Sequence, residues 1–279
     1  MADPAGFPRR LSRGPSGTLP RVAATSVRAT TPRVRLVARV LAAVGAVLTP
    51  AAARPAAALD AFEIQVYDGT ADPPGAGGLE LHVNGVPVGL TTAEPPERAP
   101  NHQTHFTLEP SLGVLPFWEI GAYLQTALLS DGAFDFAGVK LRSKFVTPPG
   151  WRQHLRLGCN LELSYVPAAF EAQRWGGEIR NIAAWESARW MFAVNPIIEV
   201  SFQGQPLAFA PAATAVFKFL PSASAGFEYY GDFTVRAHYL FQVINIWTRA
   251  IEVNVGVGEG LTSPSNGLVA KLILGYRLE

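Results

Sequence analysis

Cysteine occurs once in the 279 residues, at Cys159, so no internal disulfide can form and the lone thiol reads as a small apolar side chain. Lysine is missing from residues 1–61, and methionine is missing between Met1 and Met191. No uninterrupted apolar run reaches the roughly 18 residues that a membrane-spanning helix needs. A Gly-rich phosphate loop, a G-x-S-x-G elbow, an H-E-x-x-H pair and a paired-Cys site are all absent, so the sequence implies no cofactor. After residue 58, no long stretch carries a helical period, which removes the helical fold classes.

The formal net charge of +1 hides two unlike segments. Residues 1–61 hold nine Arg against Asp3 and Asp60, a net charge of +7; the remainder, with 14 basic and 20 acidic residues, carries −6. Arg33, Arg35 and Arg39 precede the apolar run Val40–Leu48, and Ala56-Ala57-Ala58 follows it with small residues. This is the order of an export signal, basic region then apolar region then cleavage site, over residues 33–58. The apolar run is nine residues long before Thr49 and Pro50, too short to cross a bilayer. Residues 1–32 fit no part of that scheme: they read as a disordered leader, as sequence ahead of a true start near Arg33, or as a transit peptide. The remaining segment, 59–279, is long enough for one closed domain.

That segment alternates. In Leu268–Leu278, Leu268, Ala270, Leu272, Leu274, Tyr276 and Leu278 share one face, while Lys271, Gly275 and Arg277 lie on the other. A strand of about 9–11 residues, tilted, crosses the hydrocarbon layer. Similar segments, separated by Gly, Pro, Asn or Asp, are expected at about 62–68, 78–85, 103–109, 117–128, 136–146, 154–166, 176–186, 189–201, 208–219, 225–233, 238–247, 251–258 and 268–278. Pro196 predicts an irregularity in its strand, and the short link from Trp185 to Trp190 predicts a hairpin. The fold expected is all-β: a single-chain antiparallel transmembrane β-barrel of about 12 strands, with 10–14 as the range, behind a cleavable signal peptide. Trp118, Trp175, Trp185, Trp190, Trp247, Tyr165 and Tyr276 fall near strand ends, where aromatic rings settle at membrane interfaces. The Gly- and Pro-rich stretches Thr70–Gly78 and Ala93–Asn101 read as mobile or extracellular loops.

Charged residues fall opposite the apolar face, and those expected to line a lumen are Glu119, Lys140, Arg142, Lys144, Arg156, Glu162, Glu178, Arg180, Glu199, Glu252 and Lys271. Lys140, Arg142 and Lys144 form one basic row, with side chains about 7 Å apart along a strand. Such a row either attracts anions to a pore or pairs with carboxylates such as Glu119 and Glu162, and alternation favours neither. The five histidines are 82, 102, 105, 154 and 238. His102 and His105 would lie on opposite faces of a strand, so they read as surface residues of a polar turn rather than a metal pair, and no metal site is expected.

Asp60–Tyr67, Leu108-Glu109-Pro110, Phe117–Tyr123, Arg189–Pro196 and Glu228–Gly231 together resemble segments of a group of Gram-negative outer-membrane barrels. They are similar to those grouped with outer-membrane proteins of meta-pathway phenol degradation, and the likeness runs over most of residues 60–279. The resemblance implies a single-chain barrel that passes small aromatic compounds; the basic row adds anionic solutes, and the expected partners are outer-membrane lipid and the barrel-insertion machinery, with no nucleic acid. Such barrels usually finish on an aromatic residue, whereas this chain ends Leu278-Glu279.

A bacterial outer-membrane barrel serving as a passive channel or structural barrel, and not an enzyme, is therefore the expectation. Its rivals are a soluble periplasmic β-sandwich that binds a ligand and an outer-membrane hydrolase. For the latter, His154 and Ser164 are about 33 Å apart along one strand, which leaves His238 with a Ser from a neighbouring strand.

Overall fold

The structure is a computed structural model and describes residues 59–278; the expectations for the leader and signal segment lie outside the described residues. It forms one sheet. Its segments are β1 (Gly77–Val88), β2 (Thr104–Leu115), β3 (Trp118–Leu128), β4 (Phe134–Val146), β5 (Leu155–Tyr165), β6 (Trp175–Glu186) and β7 (Trp190–Asn195). They continue with β8 (Ile197–Ser201), β9 (Ala208–Phe209), β10 (Ala212–Leu220), β11 (Ala223–Asp232), β12 (Ala237–Trp247), β13 (Ile251–Gly260) and β14 (Leu268–Leu278). Every neighbouring pair is antiparallel, β14 returns to β1, and β5 pairs with β6, so the sheet closes on itself.

The 14 segments make 12 staves, because β7 with β8 and β9 with β10 are each one strand interrupted at a proline. The register that runs from Asn195↔Ala212 to Ile198↔Phe209 sets Pro196 opposite Pro211. Neither proline has an N–H to give, so the ladder breaks on both strands at one height. Their carbonyls still accept, from Asn181 N and Gly231 N, each at 3.0 Å. A second irregularity is a bulge in β4, where Gln125 opposes Gly138 and Thr126 opposes Phe136. Gly138 has φ +141°, and a Cβ there would stand 2.5 Å from the Tyr165 carbonyl oxygen, so only glycine fits the bend.

A closed antiparallel wall has no free edge, which excludes the β-sandwich expectation. The two rims differ. At the end where β1 begins and β14 finishes, β2–β3, β6–β7, β10–β11 and β12–β13 are joined by short turns. That rim also carries one longer connection, residues 147–154 between β4 and β5, while the opposite rim carries residues 89–103, the longest, with 166–174 and 261–267. The expected loop at Ala93–Asn101 lies on this rim.

The outward face is apolar as the alternation demands: Leu161 is 43% exposed and Leu141 61%, while Asn160 and Arg142, one step along the same strands, are buried inside. Of the expected aromatic belt, Trp118, Trp185, Trp190 and Tyr276 lie towards the short-turn rim and Trp175 and Tyr165 towards the other. Trp247 departs from that expectation: it shares the inward parity of Tyr239, Phe241 and Val243 and lines an interior chamber.

Two expectations are corrected by the segment before β1. Residues 62–68 are not a strand of the wall, and the expected loop Thr70–Gly78 ends inside β1 and lies at the rim opposite the 89–103 connection, with residues 73–75 exposed there. Residues 59–76 run as an extended chain inside the barrel, from the long-loop half to the short-turn rim. Phe62 packs against Phe170 of the 166–174 connection; Ser111 Oγ donates to Asp72 Oδ2 at 2.8 Å, and the Asp72 N–H donates to Glu119 Oε2 at 2.6 Å. The segment alternates because it has two unlike neighbours. Ile64, fully buried, joins an apolar cluster with Val216, Tyr239, Phe241 and Val269, while Glu63 faces the cations of β4 and β6. Period 2 in a sequence reports two environments on either side of an extended chain; it does not say that one of them is lipid.

Candidate functional site: a partly filled lumen

The interior is polar on the side of β1–β6, while the side of β10–β14 joins an apolar cluster to polar groups such as Glu228 and Lys271, and the inner segment lies between them. Its backbone polar groups need partners, because no sheet neighbour provides them. The wall supplies these. Asn84 Nδ2 donates to Ala61 O (2.9 Å), Thr107 Oγ1 to Phe62 O (2.8 Å), Lys271 Nζ to Ile64 O (3.0 Å) and Arg180 Nη1 to Gln65 O (3.2 Å). Asn195 accepts from Tyr67 N and donates to Tyr67 O, and Arg156 Nε donates to Asp68 O at 2.7 Å.

The basic row lies inside, and each member is paired. Lys140 Nζ is 2.5 Å from Asp60 Oδ2 and 3.5 Å from both Glu63 Oε2 and Glu162 Oε2. Arg142 bridges Glu109 (2.7 Å) and Glu119 (2.6 Å), and Lys144 joins Glu119 at 2.8 Å. The anticipated partners Glu119 and Glu162 are thus present. Asp60, Glu63 and Glu109 were not anticipated. Arg180 pairs with Glu178 at 2.6 Å and with Glu63 at 3.3 Å, and its guanidinium lies 4.5 Å from the Tyr67 ring centroid. The Tyr67 hydroxyl donates to Glu63 (2.9 Å) and lies 2.7 Å from the Tyr123 hydroxyl.

The other expected residues also take the inward parity. Arg156 joins Asp68 and Glu186; Lys271 joins Glu228; Glu252 joins Arg277; Glu199 stands opposite Glu178 across the β6–β8 ladder. Asp60, Glu63, Asp68, Glu80, Glu109, Glu186, Lys218, Glu228 and Asp232 add to the interior charge and were missed. Those on strands obey the same alternation and could have been found by it; those on the inner segment could not.

Space remains beside the inner segment. A chamber of about 430 Å³ lies towards the short-turn rim, between Gln65–Thr70 and the inner faces of β1, β2, β4 and β10–β14. Its wall mixes charges of both signs with the amides of Asn245 and Asn254 and the hydroxyls of Thr214 and Ser224. About 150 Å³ suffices for a benzene-sized guest, so a single-ring solute fits.

The histidines separate on inspection. His102 is exposed with φ +62°, but His105 is buried, 3.0 Å from Gln103 Oε1 and edge-on to Phe62, which corrects the surface reading for that residue. His154 Nδ1 lies 2.7 Å from the Glu186 carbonyl. His238 is on the outward side with its ring on the Tyr229 hydroxyl (2.8 Å). Ser265 bonds the His238 backbone, not its imidazole, so the pairing a hydrolase requires is not formed there.

No family model matches the chain, and no curated protein matches it. Solved structures do. The KdgM porin matches with a TM-score of 0.53 at 9% identity, over 71% of this chain and 98% of that one. The COG4313 outer membrane channel from Pseudomonas putida F1 matches with a TM-score of 0.55 at 10% identity, over 77% of this chain and 100% of that one. At such identities the likeness is one of fold: this chain has the closed antiparallel barrel of outer-membrane channels.

Proposed function

We propose that the chain is a bacterial outer-membrane barrel acting as a passive channel, with a lumen narrowed by residues 59–76. One observation carries the reading: a closed wall turns an outward band of exposed Leu, Ile, Val and Phe side chains to its surroundings and buries ion pairs around a chamber of about 430 Å³ within. That arrangement suits lipid outside and water inside. Mostly short turns on one rim and longer connections on the other set the terminal rim towards the periplasm.

The interior charges serve the channel in two ways. Lys140, Arg142 and Arg180 hold the inner segment or the wall together through buried pairs, and the groups around the chamber, with Lys144, Lys218, Glu80 and Glu252 among them, meet the solute. The solute class is small and polar or single-ringed, in keeping with the chamber's volume and with the likeness to barrels of phenol degradation. Alternating charge signs around the chamber favour a solute that carries both donors and acceptors over a simple anion.

Purified protein refolded in detergent and inserted in planar bilayers tests this. Small unitary currents are expected from the full chain, and larger ones from a variant lacking residues 62–70. An absence of current from both would overturn the channel reading.

A further inference from the structure

Glu80 and His82 alternate on the inward face of β1, and Glu109 of β2 stands directly opposite Glu80. The three side chains converge. His82 Nε2 lies 3.4 Å from Glu80 Oε2 and 3.3 Å from Glu109 Oε2, and no other strand separates them. Charge-assisted hydrogen bonds close to about 2.7–2.9 Å, so these contacts are loose for an ion pair. They match another geometry: ligand atoms about 2.0–2.1 Å from one tetrahedral cation stand about 3.3 Å from each other.

A second observation concerns the imidazole itself. His82 is 0% exposed, its Nδ1 has no hydrogen-bond partner, and its Nε2 is aimed between two carboxylate oxygens at 3.3 and 3.4 Å, longer than a close charged hydrogen bond. Both carboxylates, by contrast, are held by neighbours, and Glu109 is held from behind. Arg142 Nε donates to Glu109 Oε1 at 2.7 Å, leaving Oε2 turned to the cluster; on Glu80, Gln65 Nε2 of the inner segment donates at 3.2 Å to Oε2, the oxygen that also faces His82. Hydrogen-bonded carboxylate ligands are the usual second layer of a metal site. Access exists as well: the Glu80 side chain is 33% exposed, and Glu80 and Glu109 both line the chamber.

We propose that Glu80, His82 and Glu109 form a binding site for a borderline divalent transition cation of the Zn²⁺ type. Two carboxylate oxygens and one imidazole nitrogen supply three of four tetrahedral positions, and the chamber supplies the fourth through water or solute. An imidazole in the set disfavours Mg²⁺ and Ca²⁺, which take oxygen. The formal charge of the donors, −2, is balanced by the ion, and Arg142 and Lys144 remain engaged by Glu119. Because Gln65 of the inner segment touches Glu80, an occupied site would also fasten that segment to the wall. The site does not depend on whether solutes pass.

The test uses the full chain, refolded without a polyhistidine tag, dialysed against Zn²⁺ and assayed for metal per barrel, with Co²⁺ as a visible-absorption probe. About one equivalent is expected, with the intense absorption of tetrahedral Co²⁺, and at least a tenfold loss of affinity in His82→Gln and in Glu80→Gln. His102→Asn should leave binding unchanged. Heat-dependent gel migration reports folding of each variant. If His82→Gln does not fold, Glu80→Gln decides alone, since Glu80 borders open space. Binding equal to the parent in Glu80→Gln, an octahedral Co²⁺ spectrum, or no retained metal would each overturn the proposal.

Discussion

Asn195 satisfies both backbone polar groups of Tyr67: its Oδ1 accepts the Tyr67 N–H at 2.7 Å, and its Nδ2 donates to the Tyr67 carbonyl at 2.9 Å. One side chain thus does for the inner segment what a neighbouring strand would do in a sheet. It can do so because alternation along β7 puts Asn195 on the buried inward face with Ala193, beside the inner segment.

Replacing Asn195 by Leu should loosen the inner segment. Two buried backbone groups would be left unpaired, each at a cost of about 1–3 kcal/mol. The wall keeps its ladder, so the protein should still insert. Noisier and larger unitary currents are expected in Asn195→Leu, with Asn195→Asp intermediate because it keeps the acceptor. Currents identical to the parent in both would deny Asn195 this role.

Lys140 gathers Asp60, Glu63 and Glu162, all withdrawn from solvent or nearly so. Removing one partner of a buried ionic group costs about 3–5 kcal/mol, because the opposite charge stays behind. Lys140→Met should therefore lower the denaturant midpoint in detergent by that order and displace the inner segment. Adding Glu162→Gln to Lys140→Met should recover part of the loss. Failure of the second change to help would mean that Glu162 is not held by this lysine.

The wall was legible in the sequence and the filling was not. Alternation identified the stave faces, the Trp185–Trp190 hairpin and the break at Pro196, and twelve of the thirteen expected segments correspond to staves. The thirteenth, 62–68, alternates just as well. Its polar side meets Lys140 and Arg180, and its apolar side meets Tyr239 and Phe241, so an interior with a polar side and an apolar cluster imitates the division between lumen and lipid. The Glu80–His82–Glu109 cluster was hidden for a different reason: it needs the register that sets Glu80 against Glu109 across β1 and β2, which no single segment contains.

Position along the outward face should set the cost of a charge. Leu161 stands mid-strand in β5 and Leu278 at the end of β14, and both are exposed on the outside. An arginine at the bilayer midplane costs about 2–4 kcal/mol, falling to about 0–1 near the interface. Leu161→Arg should thus destabilise the barrel in phospholipid vesicles, measured by urea titration, by several times as much as Leu278→Arg. Equal costs would mean that lipid does not cover this face, and the outer-membrane assignment would fall with it.

Ile64 tests what seats the inner segment on its apolar side. It is fully buried against Val216, Tyr239, Phe241 and Val269, and cutting it to Ala should cost about 2–5 kcal/mol through lost burial and the cavity left behind. The ionic contacts of Glu63 and Lys140 are sheltered from solvent, so raising the salt from about 0.1 M to about 1 M, which shortens the screening length from about 10 to 3 Å, should weaken them little. Current in the parent should then rise in proportion to salt, without a further step. In Ile64→Ala the apolar seat is weakened while the ionic side is intact, so larger currents should appear at every salt concentration. If instead Ile64→Ala matched the parent at low salt and diverged only at high salt, the charges alone would be retaining the segment, and its apolar face would be packing without a part in closure.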